Sequence, residues 1–460
     1  MIEGFSRIDQ ELCTGCGNCV STCPAEAITG EKNKPHVLSD ERCVRCGRCV
    51  QVCSAYDTVF QEYSTPRAKR LEQRGLPSSA REPLFAAYNQ CFLADVQAAL
   101  ADPDRAVLAQ IGPAVCSALA EDFGLAPGSL APGQVVAALK KIGFRRVYNF
   151  SFGAALAVLE EAHELIDRLQ SGKILPVINS SCPAAVKFIE QSYPELIHYL
   201  AGSKSPHQIA GGLIKSRVAS ILEMEPKRVY SVSIGPCTAR KFEASRPEMR
   251  TDGDPHVDTV LITRELAYLI KDSGMDLLSM AEEPFDSELP DIPGLDRVYC
   301  APGGITRAVF RAGQSLLSKG GNDGTEIALD QISADGVRTA SVQLGPFSVK
   351  AALVTGLPGA VPFFDAMKTG KSDIAFLELL ACPMGCVSGG GQPKVLLPQD
   401  KEPVYVERAK AEAKDGVKNT GAVTGHPAVE RLYSDYFRKP IGDGSNRALR
   451  TEYAERKLSK

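Results

Sequence analysis

Nothing in this chain is long and apolar enough to span a bilayer. No window of its 460 residues approaches the roughly 20 apolar residues that a transmembrane helix needs. Charge of one sign is scarce too: 52 Lys and Arg stand against 55 Asp and Glu, a net of -3, which argues against a nucleic-acid-binding surface. The opening MIEGFSRIDQ has no basic stretch leading into an apolar one, so no export signal is expected and the cytoplasm is the expected compartment. A nucleotide-binding glycine fingerprint is missing as well. What remains is an ordinary soluble composition, 44% hydrophobic and 23% charged, in a chain long enough for about two to four domains.

Cysteine is what the chain has in excess. Of fifteen, eight lie within the first 53 residues and seven run from Cys91 to Cys386. In a reducing compartment, dense cysteine at fixed short spacings means metal or cluster ligation rather than disulfides. Cys13, Cys16, Cys19 and Cys23 read C-x2-C-x2-C-x3-C before Pro24, and Cys43, Cys46, Cys49 and Cys53 repeat the spacing 30 residues later. The double run resembles a bacterial two-cluster ferredoxin, in which each run gives three thiolates to one [4Fe–4S] cluster and its fourth to the other. The resemblance implies one cluster on Cys13, Cys16, Cys19 and Cys53, and a second on Cys43, Cys46, Cys49 and Cys23. Ser54 stands where the second run would have proline. Zinc is the alternative for paired C-x2-C. The Pro-, Arg- and Ser-containing stretch STPRAKRLEQRGLPSSAR, 64–81, reads as a linker out of this domain.

From about residue 90 the pattern is α/β. Ala106–Ile111 reads as a strand ending in Gly112-Pro113, Pro132–Ile142 as a helix, and Val147–Phe150 as a strand. Ala154–Leu169 is an amphipathic helix, apolar at Ala155, Val158, Leu159, Ala162, Leu165, Ile166 and Leu169. Lys173–Ile178 and Arg228–Ile234 read as strands that run into Cys182 and Cys237. Strand, turn, helix is the grammar of parallel sheets, whose ligands collect at strand carboxyl ends. Further on, LELLACPMGCVSGGGQP (377–393) carries Cys382 and Cys386 as C-x3-C, followed by Gly389, Gly390 and Gly391. Glycine lets backbone approach a bulky inorganic cofactor closely. Four thiolates from three separated loops could close around one [4Fe–4S] cluster. The alternative is four buried small hydrophobes. Cys91, Cys116 and Cys300 sit in no such motif and read that way.

SSCP (180–183), GPCTARKFEA (235–244) and ELLACPMGCVSGGGQP (378–393) resemble, in order, the three signatures of the [FeFe]-hydrogenase family. VDTVLITRELAYLIKDSG (257–274), Lys204–Pro206 and LYSDYF (432–437) extend the likeness over nearly the whole chain. The resemblance implies an H-cluster, a [4Fe–4S] cubane joined through a cysteine to a two-iron unit bearing CO, cyanide and a dithiolate amine. By position Cys182, Cys237, Cys382 and Cys386 match the cubane ligands, with Cys386 the bridge. The implied reaction is 2H⁺ + 2e⁻ ⇌ H2, with H2 and protons as substrates.

The departures bear on protons. Ser181 occupies the position of the family's proton-relay cysteine, and an alcohol is a much poorer acid than a thiol with a pKa of roughly 8.5. Ala201 occupies the place of a relay serine. Glu161, Glu164 and Arg168 match the relay's outer end; a solvated, salt-bridged helix edge is the alternative. Around the two-iron unit, Gly235 and Leu380 replace methionines, and Arg240 stands where a lysine donates to cyanide. Ala114, beside Pro113, replaces a small polar donor. His207 stands near a usual glutamine and reads as a new proton carrier or donor, against a plain structural histidine. Cys116, close to Gly112-Pro113, is a candidate substitute thiol.

Loss of the relay cysteine and glycine for the first methionine resemble the family's divergent branch, to which low turnover and H2 or redox sensing are attributed. The expected partners are a soluble redox protein such as ferredoxin, the hydrogenase maturation proteins and a signalling partner, with no nucleic acid. The second reading is a non-catalytic iron–sulfur protein, like the hydrogenase-like assembly factors, without the two-iron unit. The expected architecture is a small α+β ferredoxin-like domain (1–63), a linker (64–89) and an α/β H-cluster domain of two mainly parallel lobes (90–398). A second linker (399–424) and a helical C-terminal segment (425–460) follow, with the last residues from Arg447 frayed.

Overall fold

The computed structural model describes residues 5–57, 65–300, 302–318, 327, 336–413 and 423–457. At the amino end, Ser6–Ile8 pairs antiparallel with Ala87–Asn89, and Ile28–Thr29 with Val37–Leu38. Each cysteine run winds into a one-turn helix, Asn18–Thr22 and Arg48–Val52.

Two sheets build the rest. The first is wholly parallel, in the order Thr259–Ile262, Val229–Gly235, Ala106–Ile111, Arg146–Asn149. Every residue of Ala106–Ile111 is buried, as befits a strand covered by helices on both faces. The second sheet is mixed. Val337–Leu344 pairs antiparallel with Phe347–Thr355, and Ile374–Leu380 and Val177–Ile178 then add in parallel. The strand expected from Lys173 shrinks to Val177–Ile178, because Pro176 has no N–H to give a ladder.

The expected helix over Ala154–Leu169 runs from Ser151 to Ser171 and ends on Gly172, which takes the left-handed φ of 65°. Three of its four carboxylates, Glu160, Glu161 and Glu164, are buried with its apolar face, while Asp167 is exposed. Glu160 accepts from the Tyr433 hydroxyl at 2.7 Å, and Glu164 accepts from Arg450 at 2.5 Å and pairs with Arg168. A solvated edge is thereby ruled out: the C-terminal segment covers this face and supplies the partners.

Both expected linkers carry folded structure. Thr65–Arg74 is a helix whose arginines serve backbone carbonyls. Arg67 donates to Ala80 and Glu82 at 3.0 Å, and Arg74 to Phe85 at 2.9 Å. Such arginines resemble a solvated tether in composition, yet Arg67 and Arg74 are buried. Lys401–Ala413 is also a helix. Its Arg408 is fully buried, forked onto Glu121 at 2.6 and 2.7 Å and donating to the carbonyls of Val387 and Pro393 at 3.0 Å. Residues 58–63 of the expected first domain, residue 64 of the first linker and 414–422 of the second lie outside the described residues. The expected fraying does not hold as far as residue 457: Arg456 bonds Glu190 at 2.9 Å, and Arg450 bridges to Ser203.

The amino-terminal unit is fastened to the α/β body beside the glycine triplet. Thr238 Oγ1 donates to the Arg45 carbonyl at 2.6 Å. Gln51 Nε2 donates to the carbonyls of Gln392 at 2.9 Å and of Gly389 and Gly390 at 3.3 Å. Lys394 Nζ reaches the carbonyls of Val50 and Cys53 at 2.7 and 2.5 Å.

Candidate functional site

Parallel strands deliver the central cysteines from both sheets. Val229–Gly235 runs through Pro236 into Cys237, Val177–Ile178 through Asn179 into Cys182, and Ile374–Leu380 into Cys382. Cys386 ends the extended Pro383–Cys386 stretch. Electrostatic interaction links the four: Cys382 with Cys237, Cys182 and Cys386, and Cys386 with Cys237 and Cys182. All four thiols lie deep in the protein yet keep partial accessibility. They face a hollow. Burial pushes Cys237 up to about 11 and Cys386 up to about 12, and Arg240 is the cation that opposes it in both. Among the described residues no three His, Cys, Asp or Glu side chains converge as a single-ion site. Four grouped thiols are the ligand set of a [4Fe–4S] cluster.

The amino-terminal thiols group the same way. Cys19 interacts with Cys13, Cys16 and Cys53, and Cys46 with Cys43 and Cys23. Cys46 is also a neighbour of Cys382, so the second group stands next to the central four. The glycine triplet explains the proximity. A Cβ on Gly389 would lie 2.4 Å from the Pro236 carbonyl, on Gly390 2.4 Å from the Cys46 carbonyl, and on Gly391 2.6 Å from Ile262 Cβ. They yield to protein.

Beside Cys386 lies a small cavity lined by Gly112, Ala114, His207, Gly235, Arg240 and Tyr299, among others. Of the expected site residues, Ala114, Gly235, His207 and Arg240 line this cavity. Leu380 and Ser181 do not line it. Pro113 opens the helix Pro113–Leu119 behind Ala114. His207 is buried and neutral. Burial and Arg240 lower it to about 4, its Nε2 meets Glu243 Oε2 at 2.6 Å, and its Nδ1 meets Ser233 Oγ at 3.0 Å. Burial alone would raise Glu243, but His207 and Arg240 hold it below the usual carboxylate range. The neutral ring thus donates from Nε2 and accepts at Nδ1.

Ser181 sits behind the wall. Asn179 Nδ2 donates to its Oγ at 3.2 Å and to both oxygens of Glu161 at 2.7 Å. Burial raises Glu161 to about 8. Burial would raise Glu164 too, but Arg450 and Arg168 hold it low. Ala201 is fully buried and offers no hydroxyl. Glu161, Glu164 and Arg168 thus lie on one helix face, while their link to Ser181 is an amide.

Sequence reasoning missed Asn179, Glu243 and Glu378. Glu378 is fully buried and accepts from the Gly303 and Thr306 amides at 2.9 and 2.8 Å and the Thr306 hydroxyl at 2.6 Å. It fixes the start of the Gly304–Leu317 helix, and with it Cys300, to the strand that carries Cys382. Cys116 lines a neighbouring cavity instead. Cys300, read as a plain core residue, lines the one beside Cys386.

Comparison with known proteins fits these features. Residues 105–390 match the model described as "Iron only hydrogenase large subunit, C-terminal domain", and residues 5–54 match a 4Fe-4S dicluster domain. The chain is 34% identical over 391 residues to the periplasmic [Fe] hydrogenase large subunit of Nitratidesulfovibrio vulgaris, covering 85% of this chain and 86% of that one. It is 33% identical over 377 residues to the NADP-reducing hydrogenase subunit HndD of Solidesulfovibrio fructosivorans, covering 79% of this chain and 63%, less than two thirds, of HndD. Protein NAR1 of Arabidopsis thaliana is 27% identical over 370 residues, covering 75% of this chain and 77% of NAR1. A solved variant of [FeFe]-hydrogenase HydA1 from Chlamydomonas reinhardtii superposes with TM-score 0.70 at 28% identity, over 80% of this chain and all of that one. Among the described residues no helix is long and apolar enough to cross a membrane.

Proposed function

The chain belongs to the iron-only hydrogenase family, and from that membership we propose that it holds the family's H-cluster and interconverts H2 with protons and electrons, slowly. Cys182, Cys237, Cys382 and Cys386 hold the cubane, and the cavity beside Cys386 takes the two-iron unit. When bound, that unit supplies the metal and base chemistry of H2 formation and cleavage. The protein's share is position, charge and protons. Arg240 brings a fixed positive charge to the thiolate group. Its guanidinium is aimed by Ser205 Oγ at 3.2 Å and Glu243 at 3.3 Å. His207 presents a neutral ring. Buried apolar side chains around the site keep water out.

The observation that carries this reading is the grouping of four thiols, with Cys386 on a walled cavity, next to a proton line stopped by the Asn179 amide. Two [4Fe–4S] clusters, on Cys13, Cys16, Cys19 and Cys53 and on Cys43, Cys46, Cys49 and Cys23, carry electrons; Cys46 beside Cys382 makes the second the inner one. The electron partner is a soluble redox protein such as ferredoxin, and loading calls for hydrogenase maturation proteins. Slow turnover at an intact cofactor suits a reporter of H2 or redox state read by a signalling partner. The thiol content suits the cytoplasm. The domain scheme becomes an amino-terminal unit that includes the pairing strand Ala87–Asn89, and a body in which Lys401–Ala413 clamps the Cys386 loop.

A second reading, a non-catalytic assembly-type protein without the two-iron unit, is favoured by the likeness to NAR1. The docking of eight amino-terminal thiols against the central group speaks for electron delivery. The test is a dye-coupled assay of H2 uptake and evolution on protein co-expressed with the maturation machinery. Measurable turnover in either direction is expected; none in both directions favours the second reading.

A further inference from the structure

The Pro206–Leu213 helix presents side chains to two cavities. His207 lines the one beside Cys386. Ile209, Gly212 and Leu213 line another, of about 660 Å³, which the carboxyl-terminal segment completes with Leu432, Phe437 and Leu449. That volume falls in the range of roughly 300–1,000 Å³ typical of small-molecule sites.

Two π-helical turns line this second cavity. Ile214–Val218 continues the Pro206–Leu213 helix, and Tyr433–Phe437 continues Pro427–Leu432. Such turns are rare and gather at functional sites. The two meet where the Arg217 guanidinium stands over the Tyr436 ring, 5.2 Å from its centroid. Tyr436 is 53% exposed, a large aromatic surface at the edge of an apolar hollow.

The charges in the wall are uneven. Lys215 is buried and paired with Asp254 at 3.3 Å and Asp258 at 2.9 Å. Glu225 stands two residues from Lys227 at one exposed turn, and Asp252 sits on the hairpin between Arg250–Thr251 and Asp254–Pro255. Arg217 and Arg447 have no carboxylate partner among the described residues. Arg447 lies one turn beyond Gly444, where a Cβ would come within 3.3 Å of the Tyr436 carbonyl oxygen, so it stands on the same side of the cavity as Arg217. Within the wall, His256 is 2% exposed. Its Nε2 meets Thr251 Oγ1 at 3.0 Å, and its Nδ1 has no hydrogen-bond partner among the described residues. A buried polar atom left unmet is costly, and an oxygen on an occupant would meet it.

We propose that this cavity binds an amphipathic carboxylate, a small molecule whose apolar body packs against Ile209, Leu213, Leu432, Phe437 and Leu449 and whose anionic end lies on Arg217 and Arg447. Guanidinium groups suit that end, because each offers paired N–H donors to the two carboxylate oxygens. A purely apolar ligand would leave both arginines idle, and a cationic one would be repelled by them. No bond is made or broken. The proposal goes beyond the hydrogenase reading and does not rest on it.

The test reads binding alone. Decanoate, kept below its micelle concentration, is titrated calorimetrically into the full chain carrying its iron–sulfur clusters, with decanol as the uncharged comparison. One decanoate per chain is expected, with slowed amide hydrogen exchange over residues 209–218 and 432–437. A Cβ on Gly212 would lie 3.7 Å from the His256 ring, an ordinary contact, so Gly212→Leu enters the cavity without a clash at its first atom and is expected to abolish binding of both ligands. Arg217→Gln with Arg447→Gln changes only exposed or half-buried side chains. It is expected to weaken decanoate at least about tenfold, the worth of a charge-assisted contact, and to leave decanol within about twofold. Absence of saturable decanoate binding overturns the proposal, as does equal decanoate affinity in the arginine pair variant, which decides the matter even if Gly212→Leu does not fold. Decanoate bound equally well by folded Gly212→Leu, or protection confined to other residues, places the ligand elsewhere and overturns it too.

Discussion

A methyl group on Gly390 would lie 2.4 Å from the carbonyl oxygen of Cys46. Two thiol groups separated by more than 300 residues of chain meet at this contact, because Cys46 belongs to the amino-terminal set and Gly390 follows Cys386 by four positions. Gly390→Ala is therefore expected to push the amino-terminal unit off the Cys386 loop. A loss of about 1–3 kcal/mol in urea unfolding is expected for such overpacking, together with slower reduction of the central cluster by an external donor. Unchanged stability and reduction rate would show that the contact relaxes at no cost.

Ser181→Cys alone is expected to leave H2 turnover within about threefold of the starting protein, because a thiol there still faces the Asn179 amide. With Asn179→Ala, which makes room for water between Cys and Glu161, turnover should rise by about tenfold or more. A full rise from the single change would place the bottleneck at Ser181 itself.

Glu161 gives a pH signature. Its folded value near 8 lies above its unfolded value of about 4.3, so the folded state holds a proton that the unfolded state has lost. Its contribution to stability is whole below about pH 4 and is lost as pH rises toward 8. In urea titrations between pH 5 and 8, Glu161→Gln should remove a decline of order a few kcal/mol. Parallel curves for the two proteins would mean that Glu161 is ionised in the fold.

Arg408 ties Glu121 to the carbonyls of Val387 and Pro393 on either side of the glycine triplet. Arg408→Lys keeps the charge but cannot make the fork. A loss of about 3 kcal/mol or more is expected from the unpaired buried groups, with weakened iron retention at the central site measured by electron paramagnetic resonance. Full iron retention would mean that the helix is a passive cover.

Local pattern made the scaffold legible. The strand Ala106–Ile111 was readable to the residue because a fully buried parallel strand is a bare apolar run, and the resemblance to a two-cluster ferredoxin implied how the amino-terminal thiols group. What stayed hidden depends on partners far away in sequence. Arg67, Arg74 and Arg408 look like solvated residues until the carbonyls they serve are placed, and Glu160 and Glu164 look like a helix edge until the C-terminal segment covers them. Asn179 lies two residues from Ser181, yet its role comes from Glu161 across a helix. Cys300 belongs to no motif, and Glu378 lies 75 residues after Gly303, whose amide it accepts from.

The central claim, that these four thiols and their adjoining cavity hold the family's full cofactor while the inherited proton line is cut, is tested most directly by infrared spectroscopy of the matured protein. Bands of metal-bound CO and cyanide, absent without the maturation proteins and shifted in Arg240→Ala, are the predicted result. Protein with all its [4Fe–4S] clusters in place but no such bands after maturation would contradict it.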